Sequence, residues 1–311
     1  MTKVFTLAPG EGWIVDRFVK EWSEDNADIA TNDPFSADVI WLLSDWSWQK
    51  LPLALLRSKR VITTVHHIVP EKFGFRERAD FDSRDVVTDV YHVYNQRTLD
   101  FIRPMTQKPI GLVPYWANNK IWRPTKPPAD IRRAHKLPRD SYIIASFQRD
   151  TEGASISSGS FKPKLEKGPD LFCDYVIAAD ELSRANRLQQ VHVLLAGWRR
   201  QYVIERLKNA NINFTYRELP DQETLNELYQ CVDLYPVTAR CEGGPQALIE
   251  CGLLGVPVIS TPVGIAEQVL PTSAIAEASC LNTATPAIPN VESWKLPQGY
   301  ESYRKLLLVD L

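Results

Sequence analysis

Long apolar stretches are missing from this chain. No part of its 311 residues approaches the run of about 20 apolar residues that a membrane-spanning helix needs. The expectation is a protein without a transmembrane segment, touching a membrane at most peripherally. The opening residues MTKVFTLAPGEGW hold too short an apolar run for a signal peptide. Charge of one sign is also missing. Lys and Arg number 36 against 38 Asp and Glu, a formal net charge of −2, so no broad field draws in nucleic acid and any anion site must be local. The five cysteines (173, 231, 241, 251 and 280) are odd in number and form no C-x-x-C pair. They read as reduced core thiols of a cytoplasmic protein, and no His or Cys spacing suits zinc. Internal repeats and low-complexity tracts are absent. The glycines after the first apolar run lack the third member of a dinucleotide fingerprint, which counts against a nicotinamide dehydrogenase.

What the chain does have is alternation. Short apolar runs, each followed by a helix-compatible stretch, recur at Val4 to Leu7, Val39 to Leu43, Val61 to Val65, Val90 to Tyr94 and Ile110 to Val113. After a proline-rich interruption, WRPTKPPAD at Trp122 to Asp130, they resume at Tyr142 to Ser146, Val191 to Ala196, Ile212 to Tyr216, Val232 to Pro236 and Val256 to Ser260. Such a pattern predicts an α/β protein of two Rossmann-like, doubly wound domains facing each other across a cleft, residues 1–137 and 138–295. Ligands are then expected at the carboxyl ends of the strands. Tyr300 to Val309 carries apolar groups at helical spacing.

The most informative segment is CEGGPQALIECGLLGVPVISTPVGIAEQVL, Cys241 to Leu270. Gly243 and Gly244 allow close backbone approach to a ligand, and Pro245 is pre-set for a first helical position. A helix starting at Pro245 would aim the free N–H groups around Gln246 at a phosphate. Glu242 would precede it and Glu250 lie inside it. At the helical rise, eight residues separate the two carboxylates by roughly 12 Å, enough to hold both ends of a nucleotide diphosphate sugar.

This segment resembles the glutamate, seven residues, glutamate signature of the retaining glycosyltransferases of family 4, a group with the GT-B fold. The resemblance rests on Glu242, Gly243, Pro245, Glu250, Gly252, Gly255, Pro257 to Ile259, Gly264 and Glu267 in order. It implies that residues 296–311 form a helix crossing back to the N-terminal domain. It also implies that Arg149 and Lys167 neutralise the donor diphosphate in place of a metal, with Lys162 and Lys164 as alternatives to Lys167. The intervening loop Thr151 to Glu166 is longer than usual and rich in Ser and Gly, as a lid or acceptor flap would be.

In the N-terminal half His66 aligns with the family's strand-end histidine, and His67 stands where an acid is usual. Gly10 and Gly12 frame a turn whose N–H groups are offered to donor phosphate or acceptor. GLVPYWANNKIWRP, Gly111 to Pro124, keeps Val113, Pro114 and Pro124 of a family stretch but replaces its Asn-Gly with Tyr115 and Trp116. Asp80 and Asp82 form an Asp-x-Asp inside RERADFDSRD, read as a solvated loop rather than a metal site. Of the nine tryptophans, the cluster Trp41, Trp46 and Trp48 suits core packing better than sugar stacking.

The resemblance thus implies a retaining, metal-independent hexosyltransferase with no cofactor. Its donor would be a UDP- or GDP-sugar, and its acceptor a hydroxyl of a glycan, lipid or small molecule. His66, Glu242, Arg149 and Lys167 would be its catalytic group. A sugar nucleotide epimerase of the same fold and a non-catalytic nucleotide-sugar binding subunit are the alternatives.

Overall fold

The computed structural model describes residues 2–12, 14–153 and 161–309. The chain divides into two compact units: Met1–Tyr115 with Pro297–Leu311, and Trp116–Leu296.

The first unit is built on a six-stranded parallel sheet. Its strands are β1 (Val4–Thr6), β2 (Ala30–Thr31), β3 (Val39–Leu42), β4 (Arg60–Val65), β5 (Val90–Val93) and β6 (Ile110–Leu112), in the order β2-β1-β3-β4-β5-β6. Residues of the central strands are buried on both faces, which is why they read as unbroken apolar runs. The polar exceptions are satisfied in one direction. His92 Nε2–H donates to the Val113 carbonyl (3.0 Å), so its Nδ1 accepts from the Thr64 hydroxyl (2.9 Å), whose oxygen in turn accepts from the Trp41 indole (2.9 Å).

Trp41 is fully buried, edge-on to Trp22 at 5.3 Å and 5.5 Å from Tyr303. It is core, as its sequence context suggested. Trp46, by contrast, is 49% exposed.

The closing helix Glu301–Leu308 packs on this unit. Tyr303 donates to the Pro114 carbonyl (2.8 Å). The Arg60 guanidinium caps the helix end through the carbonyls of Leu306, Leu307 and Val309 (3.3, 2.9 and 2.8 Å). A cation on those orphan carbonyls is worth about 0.3–1 kcal/mol.

In the second unit β7 (Tyr142–Ser146), β8 (Val191–Ala196) and β9 (Phe214–Arg217) form one parallel sheet, and β10 (Tyr235–Val237) pairs with β11 (Val258–Ser260). A parallel bridge between Ile144 and Leu234 ties the two pieces, giving the order β11-β10-β7-β8-β9. Helix Pro169–Ala185 covers β7 and β8 with Phe172, Cys173 and Val176.

The units divide between Tyr115 and Trp116, whereas the proline-rich run had suggested a boundary near 137. The reason is that residues 122–135 wrap the second unit. Trp122 stands edge-on to Tyr229 at 5.8 Å. Lys126 and His135 both bind Glu227 (2.6 and 2.8 Å), and Arg132 binds Asp233 (2.7 Å). Prolines here shape a strap rather than a linker.

The Asp-x-Asp stretch also departs from expectation, because it lies in helix Phe75–Asp85. Asp82 is paired with Arg78 and Asp80 with Arg84 (2.8 and 2.9 Å). No described helix is long and apolar enough to cross a membrane.

Candidate active site

Lys167 and Glu242 are 75 residues apart in sequence, yet the Lys167 ammonium donates directly to Glu242 Oε1. Backbone geometry makes them meet. The segment leaving β10 is sewn onto the turn before helix Pro169–Ala185. Arg240 N–H and Cys241 N–H both donate to the Glu166 carbonyl (2.8 and 3.1 Å). The Thr238 hydroxyl donates to the Gly168 carbonyl (2.8 Å), and the Arg240 guanidinium grips Asp170 through two bonds (2.7 and 2.6 Å). A third loop joins through Gln148, whose amide donates to the Lys167 carbonyl (2.9 Å). Gly168 makes this packing possible: its φ is +61°, and a Cβ there would sit 1.7 Å from the Thr238 carbonyl oxygen.

The glycine-rich turn follows at once. Gly264, with φ +57°, lies against it so closely that a Cβ would come within 3.0 Å of both Gly244 Cα and Pro245 Cδ. The turns after β10 and β11 are thereby fixed together. The helix begins at Gln246 with Pro245 as its N-cap, one residue later than expected, and runs to Leu254. Glu242 therefore lies in non-helical chain, and a separation from Glu250 counted entirely at helical rise does not apply. Glu250 is buried and accepts from the Tyr229 hydroxyl (2.7 Å). Burial holds that phenol well above its usual pKa, so it remains a donor.

Arg149 stands apart from the pair. Its guanidinium stacks 5.0 Å from the Trp198 ring and donates to the carbonyls of Thr151 (3.2 Å) and Gly153 (2.8 Å). Among the described residues it makes no hydrogen bond to Lys167 or Glu242. Lys162 and Lys164, the alternatives to Lys167, are engaged with Glu152 (2.8 Å) and Glu166 (3.8 Å). Residues 154–160 of the long loop lie outside the described residues, and with them the centre of the expected lid.

Beneath Arg149 is a group that motif reading missed. Asp150 and Arg200 form a fully buried ion pair, and Arg200 also donates to the carbonyls of Ser146 and Ala196. Removing one partner of a buried pair costs about 3–5 kcal/mol, so this pair is a rigid footing for the loops after β7 and β8. Neither residue belongs to a recognisable spacing. The only cue was position: both follow predicted strand ends.

In the first unit, His66 sits at the end of β4. Its Nε2–H donates to the Leu43 carbonyl (2.8 Å), leaving Nδ1 to accept from the Tyr115 hydroxyl (3.3 Å). Tyr115 stacks on Tyr94 at 3.5 Å, which explains why a tyrosine replaces the usual small polar turn residue. Burial pulls the His66 imidazole down to about 4 and that of His92 to about 3, so both are neutral at pH 7.

Below about pH 6.5 the unfolded chain binds protons that the folded imidazoles refuse, so stability falls as pH drops, by about 1.4 kcal/mol per unit for each histidine. Urea unfolding at pH 7.5 and pH 5 should show a loss of about 2 kcal/mol or more, and His92→Gln should reduce that slope. Equal stability at both pH values would contradict it.

Gly10 and Gly12 have φ of +73° and +69°. The N–H groups of Gly10, Glu11 and Gly12 all donate to the carboxylate of Asp16 (2.8, 2.8 and 2.7 Å). The N–H groups that this turn was expected to offer to a donor phosphate or acceptor are thus taken by the Asp16 side chain. Among the described residues no group of three or more His, Cys, Asp or Glu could hold a metal ion.

Residues 155–281 match the family model described as Glycosyl transferases group 1. That span holds Lys167, Glu242, Gly243 to Gln246 and Glu250, while Arg149 and His66 lie outside it. No curated protein matches the sequence significantly.

The fold is similar to that of HepE from Anabaena, solved in complex with UDP and glucose: TM-score 0.68, 12% identity, 91% of this chain and 89% of that one. It is also similar to sucrose-phosphate synthase from Thermosynechococcus elongatus, with a TM-score of 0.60, 18% identity, and 89% and 69% coverage. For WaaG, a glycosyltransferase involved in lipopolysaccharide biosynthesis, the values are 0.61, 13%, 90% and 88%. The fold is GT-B, with two Rossmann-like units.

Proposed function

We propose that the protein is a retaining, metal-independent glycosyltransferase that moves a hexosyl group from a nucleotide diphosphate sugar to an acceptor hydroxyl. The observation that carries this reading is the Lys167–Glu242 pair, clamped by backbone beside a glycine-rich helix entrance within the family match. Cleaving the bond between sugar and phosphate leaves extra negative charge on the nucleotide. A fixed ammonium stabilises that charge more in the transition state than in the ground state. Lys167 takes this role, and Arg149 assists from the β7 loop. The N–H groups opening helix Gln246–Leu254 face the diphosphate. Glu242 orients Lys167 and receives hydroxyls of the transferred sugar, and Glu250, held by Tyr229, receives the ribose. His66, neutral and held through Nε2–H by the Leu43 carbonyl, exchanges the long 3.3 Å bond from Tyr115 for a sugar hydroxyl donating to Nδ1, rather than acting as an acid.

The UDP and UDP-glucose complexes of HepE favour a uridine donor. The five cysteines, none in a disulfide, suit a reducing, cytoplasmic setting.

Hydrolysis of UDP-glucose with EDTA present tests the reading. Proton NMR before mutarotation should show α-glucose appearing first. β-Glucose first would mean inversion, activity abolished by EDTA would mean a metal, and a new sugar nucleotide epimer would mean the epimerase reading.

A further inference from the structure

The carboxyl ends of β7 and β8 lead to Arg149 and Arg200, while the amino ends of β7, β8 and β9 open on a different cavity. It measures about 780 Å³, within the range of small-molecule sites. Ser141, Gln190 and Asn213, the residues just before the three strands, line it together with helix Pro128–Ala134 and the turn that follows the helix.

Positive charge is concentrated here. Arg132, Arg133, Lys136 and Arg139 line the cavity against one acid, Asp130, in a chain whose formal net charge is −2. Burial pulls the His192 imidazole below its usual pKa, so it adds no charge at pH 7.

The four bases differ in what they already hold. Arg132 is a brace, binding Asp233 (2.7 Å) and the carbonyls of Arg139, Ser141 and Cys231 (3.2, 3.2 and 2.9 Å). Arg133 pairs with Asp130 (3.0 Å), but their side chains are 82% and 48% exposed, and such a surface pair exchanges easily. Lys136 and Arg139 make no side-chain hydrogen bond or ion pair among the described residues, and neither do the amides of Gln190 and Asn213.

Lys136 carries a second signal, because its φ is +56°. The N–H groups of Lys136 and Leu137 donate to the carbonyls of Arg133 and Arg132 (3.2 and 2.8 Å). This pairing closes a helix with a left-handed residue, and glycine is the usual one. A lysine in that backbone costs stability. The turn itself would form more easily with glycine, which leaves the ammonium to be explained.

Two uncommitted cations beside two amides suit a phosphate group. The partly buried Phe214 ring offers an apolar face to whatever the phosphate is attached to. A cavity framed by a helix, a turn and three strand starts fits a small molecule better than a flat bilayer surface.

We propose that this cavity is a second ligand site, distinct from the donor site, and that it takes a soluble organic phosphate. Lys136 and Arg139 bind the phosphate, and Gln190 and Asn213 bind the hydroxyls beside it. The site stands independently of the transferase reading.

The test is calorimetric titration of the full chain, with UDP present at saturation, using ribose 5-phosphate, 3-phosphoglycerate and glycerol 3-phosphate. Ribose, glycerol and inorganic phosphate are the contrasting arms, and phosphatidylglycerol vesicles test a bilayer as the source of the phosphate. At least one organic phosphate should bind about tenfold more tightly than inorganic phosphate. Arg139→Gln and Lys136→Gly should each weaken it by about fivefold or more, the loss of one charge-assisted contact, with UDP affinity within about twofold of wild type. Because glycine suits the left-handed turn, Lys136→Gly should also raise the urea midpoint, which a general loss of structure cannot do. The proposal is overturned if none of the three organic phosphates binds, if inorganic phosphate binds as tightly as they do, if only the vesicles bind, or if both variants keep wild-type affinity.

Discussion

Gly168→Ala is expected to cost about 3 kcal/mol or more of stability and to remove transferase activity. Two effects add. An alanine at φ +61° pays about 1–2 kcal/mol for the left-handed conformation. Its methyl would also overlap the Thr238 carbonyl oxygen, and overpacking of this kind costs a further 1–3 kcal/mol or so. The chain can relieve the overlap only by moving the 238–242 segment away from 165–170, and that motion separates Lys167 from Glu242. Urea unfolding followed by circular dichroism measures the first effect, and donor turnover at a temperature where the variant is folded measures the second. A variant within about 0.5 kcal/mol of wild type with normal turnover would show that the clamp does not position the site.

Lys167→Ala should lower kcat by about 10²- to 10³-fold, the range seen when one preorganised charge-stabilising donor is removed. The affinity for UDP should change far less. The distinction follows from the proposed role: an ammonium placed beside the breaking bond would act on charge that develops in the transition state. Arg149→Ala should be milder, about tenfold, because its guanidinium already serves the carbonyls of Thr151 and Gly153 and stacks on Trp198. Comparable losses of kcat and of UDP affinity in Lys167→Ala would make the lysine a simple binding group.

Much of the fold was legible because parallel strands buried on both faces leave apolar runs that survive without an alignment. β7 and β8 coincide with the predicted runs, and most others differ by a residue or two. β2 was not legible, since a two-residue edge strand has no periodicity to read. The boundary was misplaced because prolines signal an interruption without saying which unit the strap Trp122 to His135 packs on.

At the site, the glutamates, the glycine-rich turn and Lys167 stood out through ordered spacing. Their supports did not. Asp16 closing the Gly10 to Gly12 turn, Arg200 under Asp150, Tyr229 on Glu250 and Arg240 on Asp170 are partnerships made by tertiary structure. Each residue alone looks like an ordinary charged or aromatic side chain. The same holds for Trp46, which a composition-level reading assigns to the core and which the fold leaves open.

The central claim is that the second unit binds a nucleotide diphosphate sugar through Lys167, Glu242 and Glu250 without a metal. Calorimetric titration of UDP-glucose into the full chain with EDTA present measures this most directly, with Glu250→Gln and Glu242→Gln as comparisons. One site is predicted in the wild type, weakened about tenfold or more when the buried Glu250 carboxylate is replaced, and weakened less in Glu242→Gln. Absence of binding with EDTA that reappears on adding Mg²⁺ or Mn²⁺, or equal affinity in wild type and Glu250→Gln, would contradict it.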